Sequence, residues 1–335
     1  MRTPRFKIAP HLGAAIYHCM SRTVNGERCL DDAAKEIFRK QMWQIADFCG
    51  VQVLTYAIMS NHFHVLVRIP KKTTPDDDEI LRRFHVLYPK PNRYQNFRIE
   101  TITKLLKEGD PAANPWRKQQ LALMGDVSQF MKLLKQRFAI WFNSNHKRFG
   151  PVWSDRFKSV LVEGRGNVTT TMSAYIDLNP VRAGLVDDPK DYRFCGYSEA
   201  VAGRKTAQAG IATVISTASG NANTTWREAG ASYRMILFGA GTATRVNKAS
   251  ITPEALEKVI AEKGTLPLPT VLRCRLRHFT CGAVLGSKAF VAEQLAASRR
   301  RTGRRSRTRP RPLPSITDWG DMTTLHGLRN KSGCD

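Results

Sequence analysis

Two histidines one residue apart, His62 and His64, stand in the run MSNHFHVLVRIP. Side chains at i and i+2 of a β-strand share a face, so the imidazoles lie side by side while Phe63 turns to the other face. Paired imidazoles can hold one divalent cation. The plainer alternative is two polar residues on the solvent side of a half-buried strand. Tyr175, in SAYIDLNPVRAGLV, is the second reactive group. A phenol can attack a phosphodiester and become covalently linked to it. With an ordinary pKa of about 10, it needs a metal or a base beside it. A core or hydrogen-bonded tyrosine is the alternative. Asn179 follows one helical turn later, and its amide oxygen can serve as a further metal ligand. Pro180 works against that arrangement, because the residue before a proline is pushed out of the α region.

These groups need a scaffold, and the first 200 residues alternate strands with helices. Residues 14–22 suit a strand. Asp31 predicts a helix N-cap, Ile37, Phe38, Ile45 and Phe48 recur at helical spacing, and Gly50 is a natural residue to end that helix. VQVLTYAIM and HFHVLVRI are β-rich runs separated by Ser60-Asn61, which predicts a tight hairpin. Asp126 with Gln129 begins a helix whose apolar face runs from Val127 to Phe142. VWSDRFKSVLVE predicts another strand, and Gly164-Arg165-Gly166 leads into a helix capped by Asn167, with the two glycines either a hinge or an ordinary loop. The order is β-α-β-β-α-β plus one helix that bears Tyr175. That is an α+β, ferredoxin-like pattern: an antiparallel sheet with two helices on one face. Residues 71–125 do not fit it and are read as an insertion, with some helix near 99–107.

The chain has 335 residues, room for roughly two domains. Its 53 Lys+Arg against 28 Asp+Glu give a formal charge of +25, which points to a polyanionic partner. No apolar run reaches the roughly 18 residues of a membrane span, and the N-terminus lacks a signal-peptide stretch. Seven cysteines with no C-x-x-C pair predict neither a zinc finger nor a disulfide framework. A cytoplasmic, nucleoid-associated protein is expected. Residues 201–225, rich in Ala, Gly, Ser and Thr, predict a linker between a 1–200 catalytic domain and a mainly helical 226–297 region. The arginine block in 298–335 (Arg299, Arg300, Arg301, Arg304, Arg305 and beyond) predicts a disordered arm lying along phosphates.

Taken together, YHCMSR, YAIMSNHFHVLV, FMKLLKQRFAIWFN, GPVWSDRFKSVLVE and AYIDLNPVRAGLV resemble the REP-associated tyrosine transposases, relatives of the single-tyrosine HUH transposases of insertion sequences. The runs occur in that order and cover roughly residues 5–200 apart from the insertion. The resemblance implies His62 and His64 as metal ligands, Asn179 as a third, Tyr175 as nucleophile, and Mg²⁺ or Mn²⁺ as the cofactor. It implies a 5′-phosphotyrosine intermediate on single-stranded hairpin DNA. Family members act as monomers or as homodimers that swap the tyrosine helix, and the sequence does not choose between them. A rolling-circle-type nickase, or a DNA- or RNA-binding regulator with a vestigial site, are the rival readings.

Arg156, Lys158 and Arg182 flank the proposed site and are candidates to position phosphates. Trp141, Phe142, Trp153 and Phe157 are candidates to stack on unpaired bases, with Trp141 and Phe142 also continuing the apolar stripe of their helix. PTVLRCRLRHF and GSKAFVAEQL suit a helix-turn-helix in which Ser287 caps the second helix and Lys288 begins it, or else a plain helical hairpin.

Overall fold

The structure, a computed structural model, describes residues 6–8, 13–71, 73–89, 93–221, 224–241, 283–302, 309–312 and 322–325. Strand β1 (Ala15–Arg22) leads to helix α1 (Asp32–Cys49), then to the hairpin of β2 (Gln52–Ile58) and β3 (His62–Ile69). Three helices follow, α2 (Asp77–Leu87), α3 (Arg93–Lys107) and α4 (Asn114–Leu121). They fill the expected insertion, and α2 lies against α1. Helix α5 (Val127–Asn145), strand β4 (Lys158–Val162) and helix α6 (Asn167–Asp177) complete the part that holds the site.

Local chemistry sets these boundaries. The Asp31 carboxylate accepts from Ala34 N at 2.7 Å, satisfying one of the unpaired amides that open α1. Gly50 closes the helix at φ 63°, a left-handed conformation that costs glycine little. Asp126 accepts from Ser128 N and Gln129 N at the start of α5. Met59 N donates to His62 O across the Ser60-Asn61 turn, fixing the β2–β3 register.

Among the described residues the strands form one seven-stranded mixed sheet in the order β2-β3-β1-β4-β5-β7-β6. β1 lies between β3 and β4 and is antiparallel to both. Beyond β4 come β5 (Val284–Ser287), parallel to it, then β7 (Met322–Leu325) and β6 (Arg311–Pro312). One face of the sheet is covered by α1 and α5: Phe38 of α1 meets Phe63 of β3 at 4.5 Å, Phe138 of α5 at 5.1 Å and Trp153 at 5.9 Å. The opposite face of β2 carries α6, α8 (Gly196–Val201) and α9 (Lys205–Ser219). Burial on both faces explains why β2 and β3 read as nearly unbroken apolar runs.

Several expectations change. Residues 205–219 of the predicted linker are helix α9, with Ile211 and Val214 in the core. Gly210 makes that possible: a Cβ there would meet the Val53 and Leu54 carbonyl oxygens at 2.6 Å, so only glycine lets the helix sit this close to β2. Helix α10 (Trp226–Gly241) packs on α9 and α6. The C-terminal region is not simply helical, since β5, β6 and β7 extend the sheet. The strand predicted over 152–163 is confined to Lys158–Val162, preceded by a single Thr23–Trp153 bridge. The arginine block is partly ordered: Arg299, Arg300 and Arg301 are the last turn of α11 (Lys288–Thr302), where cations suit the negative end of the helix dipole. Arg304 and Arg305, and the first helix of the suggested helix-turn-helix, lie outside the described residues. Ser287 does cap α11, its hydroxyl accepting from Phe290 N, and Lys288 is that helix's first residue.

Candidate active site

The site lies on the α6 face of the sheet. Strand alternation turns Phe63 into the aromatic core and puts His62 and His64 together on the other side, their ring centroids 5.2 Å apart. The Asn61 side chain fixes His62. Its Nδ2 donates to Gly26 O at 3.1 Å, so its Oδ1 is the acceptor that faces His62 Nδ1 at 2.7 Å. His62 therefore carries a proton on Nδ1.

A third histidine completes the group. His18 of β1 places Nε2 2.8 Å from His64 Nδ1, and the two rings meet edge to edge, their centroids 5.0 Å apart with 18° between their planes. Both are buried, at 1% and 2% exposure. The sequence alone does not single out His18, because it lies 46 residues from His64. The signal is the β1–β3 register, which sets Met20 opposite His64 and Leu66 opposite His18, with all four on one face. Burial, followed by the electrostatic influence of neighbouring His18, His62, Arg182 and Arg22, holds the His64 pKa well below its ordinary value. His64 is a neutral imidazole at neutral pH.

Tyr175 comes from α6, which is buried from Val168 to Asp177. Gly166, at φ 59°, stands at the N-cap in place of the expected Asn167, and the Thr169 hydroxyl donates back to Glu163 O. The Tyr175 ring meets His64 edge-on at 5.8 Å and His18 at 6.1 Å. Arg182 of α7 (Asn179–Arg182) lies over the same ring, its guanidinium carbon 4.8 Å from the centroid, while Nη1 donates to Tyr175 O at 3.0 Å. Asn179 donates from Nδ2 to Tyr175 O at 2.9 Å and to Ile176 O at 3.2 Å. With its amino group directed at the helix end, its Oδ1 is left as the acceptor. Pro180 does not separate the two residues: α6 breaks at Leu178 and α7 resumes at once, one turn on from Tyr175.

Asp177 anchors the tyrosine helix from below. It is fully buried and accepts from the Thr55 hydroxyl at 2.8 Å, the Tyr233 hydroxyl at 2.6 Å and Tyr197 N at 3.2 Å. Strand β2, helix α8 and helix α10 thus each donate to one carboxylate two residues past Tyr175.

The histidine strands, the hairpin between them and helix α1 all fall in one recognisable segment. Residues 12–78 match the family of IS200-like transposases. A solved structure of a REP-associated tyrosine transposase bound to a REP hairpin is similar at 13% identity, covering 61% of this chain and 86% of that one with a TM-score of 0.39. No curated protein matches the chain. The matched segment contributes His18, His62 and His64; α6, from beyond it, brings Tyr175 to them, and Asn179 and Arg182 of α7 hold to Tyr175.

Two further cations lie on the histidine face. Arg22 pairs with His62 across β1–β3, and Lys158 pairs with Met20 across β1–β4, so both belong to the histidine face. Arg156 is exposed two residues before Lys158. Lys288 and Arg299–Arg301 sit on α11, beyond β5. Phe142, Trp153 and Phe157 are buried, which removes them as stacking platforms; Trp141 is half-buried beside Phe138.

The donor chemistry fits a divalent cation. His62 and His64 each have Nδ1 engaged, which directs their Nε2 edges to any ligand, and the Asn179 amide oxygen adds a harder donor. No cluster of three or more His, Cys, Asp or Glu ligands occurs among the described residues. A cation held by these three groups would supply Lewis-acid chemistry to a phosphate oxygen or water.

Proposed function

We propose that the protein is a metal-dependent tyrosine transposase that cleaves and rejoins single-stranded hairpin DNA. The observation that carries this reading is Tyr175 set 5.8 Å from His64 within the same chain, on a sheet face lined with cations. The order β2-β3-β1-β4, with α1 and α5 on one face, supports a ferredoxin-like catalytic core.

Tyr175 Oη attacks the scissile phosphorus. The P–O3′ bond breaks, the phenol gives up its proton, and the departing 3′ oxygen takes one up. The products are a 5′-phosphotyrosine and a free 3′-OH, and attack by a 3′-OH on the same phosphorus restores a phosphodiester and releases the tyrosine. Mg²⁺ or Mn²⁺ held by His62, His64 and Asn179 would polarise the phosphate and offset the charge developing on its oxygens. Arg182 orients the nucleophile through the Tyr175 ring and carbonyl. Arg22, Lys158 and Arg156 position the phosphates on either side. The net charge of +25 and the arginines of α11 supply the wider attraction for DNA. Both halves of the site lie in one chain, which supports cleavage by a monomer.

The test is incubation with labelled single-stranded hairpin DNA and Mn²⁺ or Mg²⁺, followed by a denaturing protein gel. A protein-linked band that needs the metal and disappears in Tyr175→Phe supports the reading. Retarded DNA on a native gel with no linked band across several hairpins and both metals would make the protein a binding protein instead.

A further inference from the structure

We infer that His18 is a positioning residue that sets the tautomer of His64, and so makes His64 able to bind a metal. The inference rests on the metal-dependent reading above for its purpose, while its core claim concerns one proton between two side chains.

His64 Nδ1 and His18 Nε2 are 2.8 Å apart, so a single proton lies between them. Two arrangements are possible. If His18 donates, His64 Nδ1 is the acceptor, and a neutral His64 must then carry its own proton on Nε2. In that form neither nitrogen of His64 has a lone pair to give: one accepts from His18 and the other is protonated. If His64 donates from Nδ1, His18 Nε2 accepts, and His64 Nε2 is left with its lone pair. Only the second arrangement makes His64 a ligand. In it His18 carries its remaining proton on Nδ1.

The neighbour in the motif follows the same rule by a different route. His62 Nδ1 faces the Asn61 oxygen at 2.7 Å, an acceptor only, so His62 is held as the Nδ1–H form. Each histidine of the pair thus meets a partner at Nδ1 and presents Nε2. Metal-ligating histidines commonly give their other N–H to such an orienting acceptor. Asn61 performs this for the half-buried member of the pair. At the buried member, where the protein must supply the partner itself, β1 supplies an imidazole. The two ring planes lie only 18° apart, as an in-plane hydrogen bond between imidazoles requires, and that bond restrains the rotation of His64.

The full-length protein, labelled with ¹⁵N-histidine and kept metal-free, tests this at neutral pH. Two-bond ¹H–¹⁵N correlations distinguish the tautomers, with His64 assigned through His64→Ala. The expected result is Nδ1–H at His64 in the wild type and a shift toward Nε2–H in His18→Leu. His18→Gln places an amide oxygen near the position of the lost Nε2 and keeps Nδ1–H. Mn²⁺ affinity, read by electron paramagnetic resonance, falls about tenfold or more in His18→Leu and recovers in His18→Gln. Nε2–H at His64 in the wild type overturns the inference, as does unchanged Mn²⁺ affinity in a folded His18→Leu. The tautomer measurement needs neither DNA nor cleavage. A failure of the transposase reading would leave it standing, and its failure would leave Tyr175 chemistry untouched.

Discussion

Asp177 accepts a 2.6 Å hydrogen bond from Tyr233, a residue 56 positions further along the chain. The bond ties α10 to the end of the tyrosine helix. Together with the Thr55 and Tyr197 donors, it leaves the buried carboxylate well satisfied. The α8–α10 segment therefore contributes to holding Tyr175 against its own histidines.

Removing that donor should loosen the helix. Tyr233→Phe keeps the ring and deletes one hydrogen bond to a buried charge, a loss of about 1–3 kcal/mol. Urea unfolding of the variant should show a lower midpoint at an unchanged slope. A midpoint equal to wild type would mean that Asp177 does not depend on α10.

Asp177 also gives a pH dependence of unusual sign. Burial pushes its carboxyl up to about 6 from 3.8, against the lowering effect of Tyr233, Thr55 and Tyr197. Between about pH 4 and about pH 6 the folded chain holds a proton that the unfolded chain has released. Stability from this group is therefore greatest at the acid end, declines as pH rises through that window, and is level above it. Wild type should lose stability relative to Asp177→Asn on going from about pH 4 to about pH 6.5, as measured by urea unfolding. A constant difference between the two would rule this out.

A second buried carboxylate makes a separate stability prediction. Glu199, 6% exposed, pairs with Arg39 and accepts from Trp43 Nε1 and Tyr56 OH, each at 2.8 Å. Glu199→Ala removes the acceptor of the Trp43 indole N–H and of the buried Tyr56 hydroxyl, while Arg39 keeps Glu36, and should cost about 2–3 kcal/mol. Calorimetry or urea unfolding would measure it, and a loss below about 1 kcal/mol would contradict the role.

Phosphate positioning predicts a salt effect. Lys158→Ala should weaken hairpin binding to a similar degree across sequences and reduce the slope of log affinity against log salt by about 1. Fluorescence anisotropy over a salt series reads both. A change for one sequence alone would instead assign Lys158 to base recognition.

Because the histidines and Tyr175 belong to one chain, mixing His64→Ala with Tyr175→Phe protein should not restore cleavage. Recovery on mixing would show that the tyrosine helix is exchanged between chains.

Local signals were the legible ones. The Asp31 cap, the Gly50 stop and the His62-Phe63-His64 alternation each depend on residues a few positions apart, and the structure keeps all three. What depended on distant contact was not readable. Residues 205–219 look like a linker because Ala, Gly, Ser and Thr carry little hydrophobic signal, yet Ala207 and Gly210 are what a helix needs to press on β2. The β5–β7 extension is built on pairings such as Leu161 with Val284, which no periodicity marks. His18 sits in an ordinary strand and gains its meaning from a register with β3. Trp153 and Phe157 have the composition of a base-stacking surface, but the Phe38 cluster and the sheet bury them.

The central claim is that Tyr175 forms the covalent link to DNA, and mapping the adduct tests it most directly. The protein is incubated with Mn²⁺ and a hairpin substrate, the linked species is digested with nuclease and protease, and the peptides are analysed by mass spectrometry. The account predicts a 5′-phosphonucleotide on the peptide containing Tyr175, with fragmentation placing it on that tyrosine. A nucleotide on any other residue, or cleaved DNA with no adduct at any stage of the reaction, would contradict it.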